Sequence, residues 1–96
     1  MYKLSEAAAH DIEQLLDQSI LDFGLLQTEA YYHDLTHCLT LLSDNPEMGN
    51  SAEDIRSGYR RFPHASHVIF YTRENDHILI IRILQKRMDV SRSIQK

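Results

Sequence analysis

The chain has 96 residues, with ten Lys and Arg against fourteen Asp and Glu and a formal net charge of −4. That length holds one domain, residues 1–96, with a thin core. A hydrophobic share of 43% with 25% charged residues excludes a disordered chain. No apolar run nears the roughly 20 residues of a membrane span, so no membrane partner is expected. The opening MYKLSEAAAHDIEQ has neither a basic nor an apolar leader region and reads as no signal peptide. The lone Cys38 excludes an internal disulfide and fits a reducing cytoplasm.

The net charge conceals a partition. Residues 1–54 carry one cation, Lys3, against eleven acids, or −10; residues 55–96 carry nine Lys and Arg against three acids, or +6. So sharp a boundary predicts two faces with different partners.

Tyr2–Ser5 reads as a short strand ending at Ser5, a good helix N-cap with Glu6 behind it. Ala8, Ile12, Leu15, Leu16, Ile20 and Phe23 then recur on one helical face, and Gly24 stands at the C-cap position. A second helix is predicted from near Gln27, with Tyr31, Leu35, Cys38, Leu39 and Leu42 on one stripe. It stops before Pro46, which disfavours helix at Asn45. Two helices joined by about three residues form an antiparallel hairpin.

From Pro46 to Asp54 the composition is that of a loop. Three strands are expected after it: Ile55–Phe62, broken by Pro63; Ser66–Thr72; and, beyond a turn at Glu74-Asn75-Asp76, His77–Leu84. The last is so rich in Ile and Leu that both its faces should be covered. A short helix is predicted from Gln85. The order β-α-α-β-β-β gives an α+β fold, a helical hairpin packed on a small antiparallel sheet.

His33 and His37 share a helix face at the spacing of a zinc pair. The residue after His33 is Asp34, one methylene shorter than the glutamate of an HExxH site, and no third ligand follows. Both histidines therefore read as half-exposed helix residues, and no metal is expected. Cys38 lies on an apolar stripe and reads as an inert buried thiol. Three glycines leave no phosphate-binding loop and no cofactor signature.

The second half is richer. Arg56, Arg60 and Arg61 surround Tyr59 and Phe62, with alternation sending Arg61 to the opposite face. Arg82 stands alone in an apolar strand, costly unless its guanidinium reaches an acceptor or the surface. A solvated sheet face, a nucleic-acid groove and a docking surface for an acidic protein all fit this pattern.

The strings Ile55-Arg56-Ser57-Gly58-Tyr59-Arg60-Arg61-Phe62, Ser66-His67-Val68-Ile69-Phe70-Tyr71, Ile80-Ile81-Arg82-Ile83-Leu84 and Lys86-Arg87-Met88-Asp89 together resemble the ParE toxins of the RelE/ParE superfamily. Leu4-Ser5, Ala8, Asp11, Phe23-Gly24, Tyr32, Leu35, Asn45-Pro46 and Gly49 agree with it, so the resemblance spans nearly the whole chain. It implies the toxin of a bacterial type II toxin–antitoxin system, a plasmid- or chromosome-stabilising inhibitor of growth. Its partners would be DNA gyrase as target and a ParD-type antitoxin whose tail folds onto it. A basic half would suit an acidic amphipathic segment. Direct binding of nucleic acid by the chain alone is not expected.

RelE relatives cleave mRNA on the ribosome, so the residues must separate the two activities. Many relatives carry His at the strand end where this chain has Gln85, and glutamine exchanges no proton at neutral pH. A ribonuclease therefore needs His67 or Tyr71 at the site. The expected activity is gyrase inhibition without catalysis, with mRNA cleavage as runner-up and a non-toxic antitoxin-binding module third. Arg61, Arg82, Lys86 and Arg87 are the expected target-binding residues. Leu16, Ile20, Tyr31, Ile69 and Ile83 are expected to bind the antitoxin.

Overall fold

The computed structural model describes residues 1–87. Strand β1 (Tyr2–Leu4) leads into helices α1 (Glu6–Phe23) and α2 (Leu25–Asp44). A 3-10 turn (Pro46–Met48) and strands β2 (Asn50–Ser51), β3 (Tyr59–His64), β4 (His67–Arg73) and β5 (Ile78–Gln85) follow. The sheet order is β1-β5-β4-β3-β2. Strands β2 to β5 pair antiparallel, while β1 joins β5 in parallel, Tyr2 opposite Ile78 and Leu4 opposite Ile80.

Ser5 sets the angle at which α1 leaves the sheet. Its Oγ accepts the Ala8 N–H at 3.0 Å, as an N-cap does, and donates to the Ile81 carbonyl at 2.7 Å. The predicted apolar stripe then packs Ala8 and Ile12 beside Leu35, Cys38, Leu39 and Leu42 of α2 over Ile69, Tyr71, Ile80 and Ile83 of the sheet. Each large aliphatic side chain buried this way contributes roughly 1.5–3 kcal/mol. The opposite sheet face is also covered: Phe70 and Leu84 bury against Ala52, with Ile55, Tyr59, Val68 and Ile81 around them. Both faces of β5 are therefore covered, as its composition predicts.

The connections differ from the sequence reading, each for a local reason. The hairpin link is one residue, Gly24 at φ +88°, a conformation that L side chains rarely adopt, so α2 starts at Leu25 and not near Gln27. Residues Ile55–Phe62 do not form one strand. The Ile55 N–H donates to the Ala52 carbonyl and the Gly58 N–H to Glu53 Oε2, closing a turn with Gly58 at φ +85° before β3 begins at Tyr59. Arg56 thus leaves the sheet altogether. Pro63 does not end β3 but sits within it, opposite Val68. Strand β2 pairs only with Arg60 and Arg61, so Pro63 lies on an open edge, where a missing N–H costs no ladder bond. A register shift between Phe70 and Tyr71 leaves Ile81 as the extra residue of β5. The predicted helix after Gln85 is absent at Lys86 and Arg87, which form a turn, and otherwise lies outside the described residues.

Tyr71 fastens the loop between α2 and β2. Its buried hydroxyl donates to the Pro46 carbonyl at 2.6 Å and accepts the Gly49 N–H at 3.1 Å. A Cβ on Gly49 would overlap Tyr71 Oη and the Arg61 carbonyl oxygen. Gly49→Ala is expected to cost about 1–3 kcal/mol, read as a lower urea midpoint at unchanged slope. An unchanged midpoint would show that the loop yields freely.

Candidate functional site

Strand β1 is three residues long and leaves the outer edge of β5 bare beyond Ile80. Helix α1 covers that edge with one side chain. Asp11 Oδ2 accepts the Ile83 N–H at 3.0 Å and the Arg82 Nε at 2.7 Å, and Oδ1 accepts Arg82 Nη2 at 2.9 Å. Asp11 is only 9% exposed, and its fork on the guanidinium holds Arg82 above its ordinary range. Arg82, expected to bind a target, is thus held within the fold by a carboxylate 71 residues away.

Beside this pair the open end of β4 and β5 faces the distal half of the helical hairpin across a cleft of about 240 Å³. Leu15, Gln18, Asp22, Tyr31, His67 and Gln85 line it. His67 and Gln85 are cross-strand partners, and a neighbouring groove joins His67 to Asp11 and Arg82. Burial and the nearby His64 push the His67 pKa below its ordinary value, with Asp11 opposing them. His64 bridges the hairpin and the sheet: its Nε2 lies 2.9 Å from Asp34 Oδ2, and its ring tilts against Tyr31 with centroids 5.7 Å apart. Tyr31 Oη and His64 Nδ1 are buried without a hydrogen-bond partner among the described residues. Burial raises the Tyr31 pKa, aided by Asp34.

The predicted cations divide. Arg61 forms an ion pair with Asp54 and lies 5.9 Å over the Phe70 ring. Lys86 and Arg87 are exposed at the end of β5, beside Gln85. Of the predicted antitoxin contacts, Ile20 is exposed and Leu16 and Tyr31 are half-buried along the hairpin. Ile69 and Ile83 lie in the core, 0% and 3% exposed, because their alternation points them under the helices. Residues buried there hold the sheet to the hairpin and present nothing to a partner, which corrects their expected role. Tyr71 is consumed by the Pro46 and Gly49 contacts and does not reach the cleft; His67 does. His33 and His37 are exposed on α2, and no group of three His, Cys, Asp or Glu able to hold a metal occurs among the described residues. Burial raises the Cys38 pKa, the state of an unreactive thiol.

The profile of the family described as the ParE toxin of the type II toxin–antitoxin system parDE matches residues 2–90. The chain belongs to the ParE toxin family. Toxin ParE1 of Mycobacterium tuberculosis strain H37Rv is 34% identical over 94 residues, spanning 97% of this chain and 96% of that one. Toxin ParE1 of Caulobacter vibrioides is 34% identical over 88 residues, 92% of this chain and 91% of that one. A solved chain described as the chromosomal ParDE system of P. aeruginosa superposes with a TM-score of 0.74 at 17% identity, over 88% of this chain and 92% of that one. This likeness supports the α+β fold. No helix of the described residues is long and apolar enough to cross a membrane.

In this ParE-family chain the residue that sequence reasoning missed is Asp11 as the partner of Arg82. The signal was present: one acid on the apolar stripe of α1, one base inside an apolar strand, with opposite signs. The His64–Asp34 contact left no such signal, because both residues sit at ordinary polar positions. Asp11→Ala should cost about 2–4 kcal/mol in urea unfolding, by taking the carboxylate from Arg82 and from the Ile83 N–H together, and adding Arg82→Met should recover part of it. A loss below about 0.5 kcal/mol would mean the pair is merely superficial. For His67, the unfolded ring near its usual value of about 6.5 takes up a proton before the folded one does. Stability should therefore fall as pH drops through that value and level off below the folded pKa. Between pH 7.5 and 5.5 the wild type should lose more unfolding free energy than His67→Gln; equal losses would contradict the assignment.

Proposed function

We propose that this ParE-family toxin acts on DNA gyrase without catalysing a reaction of its own and is held inactive by a ParD-type antitoxin. Three features support the reading. The family description names a toxin–antitoxin system, and its profile covers nearly the whole chain. Exposed Lys86 and Arg87 stand at the open end of the sheet, free to meet a target without breaking the core. The observation that carries the non-catalytic part is Gln85 at the cleft, cross-strand from His67, because a glutamine exchanges no proton at that position. Arg61 and Arg82 would act by placing charge near the target through the structure they brace. The toxin would act inside the cell, where gyrase and the antitoxin are found.

The runner-up, ribosome-dependent mRNA cleavage, rests on the groove that joins His67 to Arg82. Purified protein added to gyrase with relaxed plasmid should slow supercoiling and raise cleaved plasmid. Added antitoxin should reverse the effect, and Lys86→Ala with Arg87→Ala should weaken it roughly tenfold while leaving the unfolding midpoint unchanged. No effect at severalfold molar excess over gyrase contradicts the proposal. Cut transcripts in a translating extract, lost in His67→Ala, would assign the enzyme reading instead.

A further inference from the structure

The cleft of about 240 Å³ between the helical hairpin and the open end of β4 and β5 is built largely from groups that hydrogen-bond without carrying charge. Gln18 comes from α1, Gln27 from α2, Ser66 from the β3–β4 turn and Gln85 from the end of β5. A side-chain amide is planar and both donates and accepts. The amides of Gln27 and Gln85, one from each wall, are exposed and have no partner among the described residues. Gln18 donates to Asp22 Oδ1 at 3.0 Å, which leaves its own carbonyl oxygen to accept. Asp22 is the single carboxylate in the lining.

Three rings, Phe23, Tyr31 and His67, share the walls. Tyr31 Oη is buried without a hydrogen-bond partner among the described residues, and a hydroxyl in that state takes its partner from an ordered water or a ligand. Cations stand beside the cleft and do not line it. Lys86 and Arg87 follow Gln85 directly, both exposed, and neither joins an ion pair among the described residues. The Lys86 N–H donates to the Ser66 carbonyl at 3.0 Å, which ties this end of β5 to the β3–β4 turn.

Neutral amides, aromatic walls and adjoining cations are the parts that recognise a nucleotide. Amides read a base edge, rings stack on the base, and cations meet its phosphate. Glutamine does this best for adenine, pairing with N6 and N7 together. The size agrees: the cleft is smaller than the roughly 300–1,000 Å³ of a drug-sized pocket and suits one flat ring system. A protein helix is the poorer occupant, because it needs a continuous apolar groove and only Leu15 and Phe23 of the lining are purely apolar. The net charge of −4 opposes a duplex laid across the surface, but a single base meets only the groups around its cleft.

We propose that this cleft binds an adenine base carrying a 5′-phosphate, with the base between Gln27 and Gln85 and the phosphate on Lys86 and Arg87. Such a base comes from a free nucleotide or from an unpaired position in a single strand. Neither gyrase nor an antitoxin is needed for this binding, so its failure and theirs are separable.

The full chain is titrated with adenosine monophosphate, inosine monophosphate and adenosine, and its NMR shifts are followed. Adenosine monophosphate should bind with a Kd on the order of 0.1–1 mM and move the Gln27 and Gln85 side-chain amides. Inosine monophosphate, with a carbonyl where adenine has its amino group, should bind about fivefold more weakly, and so should adenosine, which lacks the phosphate. Gln27→Leu with Gln85→Leu should abolish the preference for adenine at an unchanged urea midpoint. Lys86→Ala with Arg87→Ala should instead remove the advantage of the phosphate and keep the preference. A five-nucleotide DNA strand with one central adenine, set against the same strand abasic there, identifies the source. Binding tighter than the mononucleotide and lost in the abasic strand assigns an unpaired base; weaker binding assigns the free nucleotide. No shift at about 10 mM adenosine monophosphate, equal binding of the inosine nucleotide, or shifts confined to Lys86 and Arg87 overturns the proposal. If a ParD-type antitoxin moves the Gln27 and Gln85 amides and no nucleotide does, the cleft belongs to a protein segment and the proposal is overturned as well.

Discussion

The carboxylate of Asp11 is the fastening on which the arrangement of this protein depends. A three-residue first strand cannot cover an eight-residue neighbour, so β5 would present bare N–H groups along much of one edge. Asp11 satisfies one of them at Ile83 and neutralises the guanidinium beside it at Arg82. Ser5 ties the same strand nearly two turns earlier from the carbonyl side, donating its N–H to Ile80 and its hydroxyl to Ile81. Together they fix the root of α1 along the edge of β5. The direction of α1 follows from that root, and α2 follows from α1 through a single glycine.

A hairpin fixed at its root has a free tip. Helix α1 is 18 residues long and α2 is 20, whereas the sheet they rest on is narrow and its strands short. The buried residues of α1 end at Ile12, and the aliphatic ones of α2 begin at Leu35. What lies between is long enough to form regular helix yet lies beyond the sheet that buries the rest of the hairpin. That mismatch of lengths produces both the cleft over His67 and Gln85 and the exposed leucines at the tip.

Much of this was legible in the sequence. The 3-4 spacing from Ala8 to Phe23, Ser5 at the N-cap and the Ile-rich run of β5 each lead to the observed element, because each is a local rule with a local cause. Pro63 and the Ile55–Phe62 run misled for the same reason, locality. Whether a proline ends a strand depends on which edge is open, and whether Ile55 is strand or turn depends on Gly58 three residues later. Ile69 and Ile83 were apolar and hence credible contact residues; only the register of β4 against β5 turns them under the helices. The −10 and +6 partition was visible in the sequence, but its meaning changed. Four of the arginines answer acceptors within the fold, Arg60 at the Gly49 carbonyl, Arg61 at Asp54, Arg73 at Glu47 and Arg82 at Asp11. The acids of the hairpin tip face outward.

With α1 held to the bare edge of β5 through Asp11, the Ile83 amide is the place where hydrogen exchange reads that attachment. Among the described residues no strand pairs with that N–H, so an unsupported edge would exchange as fast as a frayed terminus. Protection at Ile83 should be comparable to that of Ile78 and Ile80 and be lost selectively in Asp11→Asn while Ile80 stays protected. Fast exchange at Ile83 in the wild type, or protection that survives in Asp11→Asn, would contradict it.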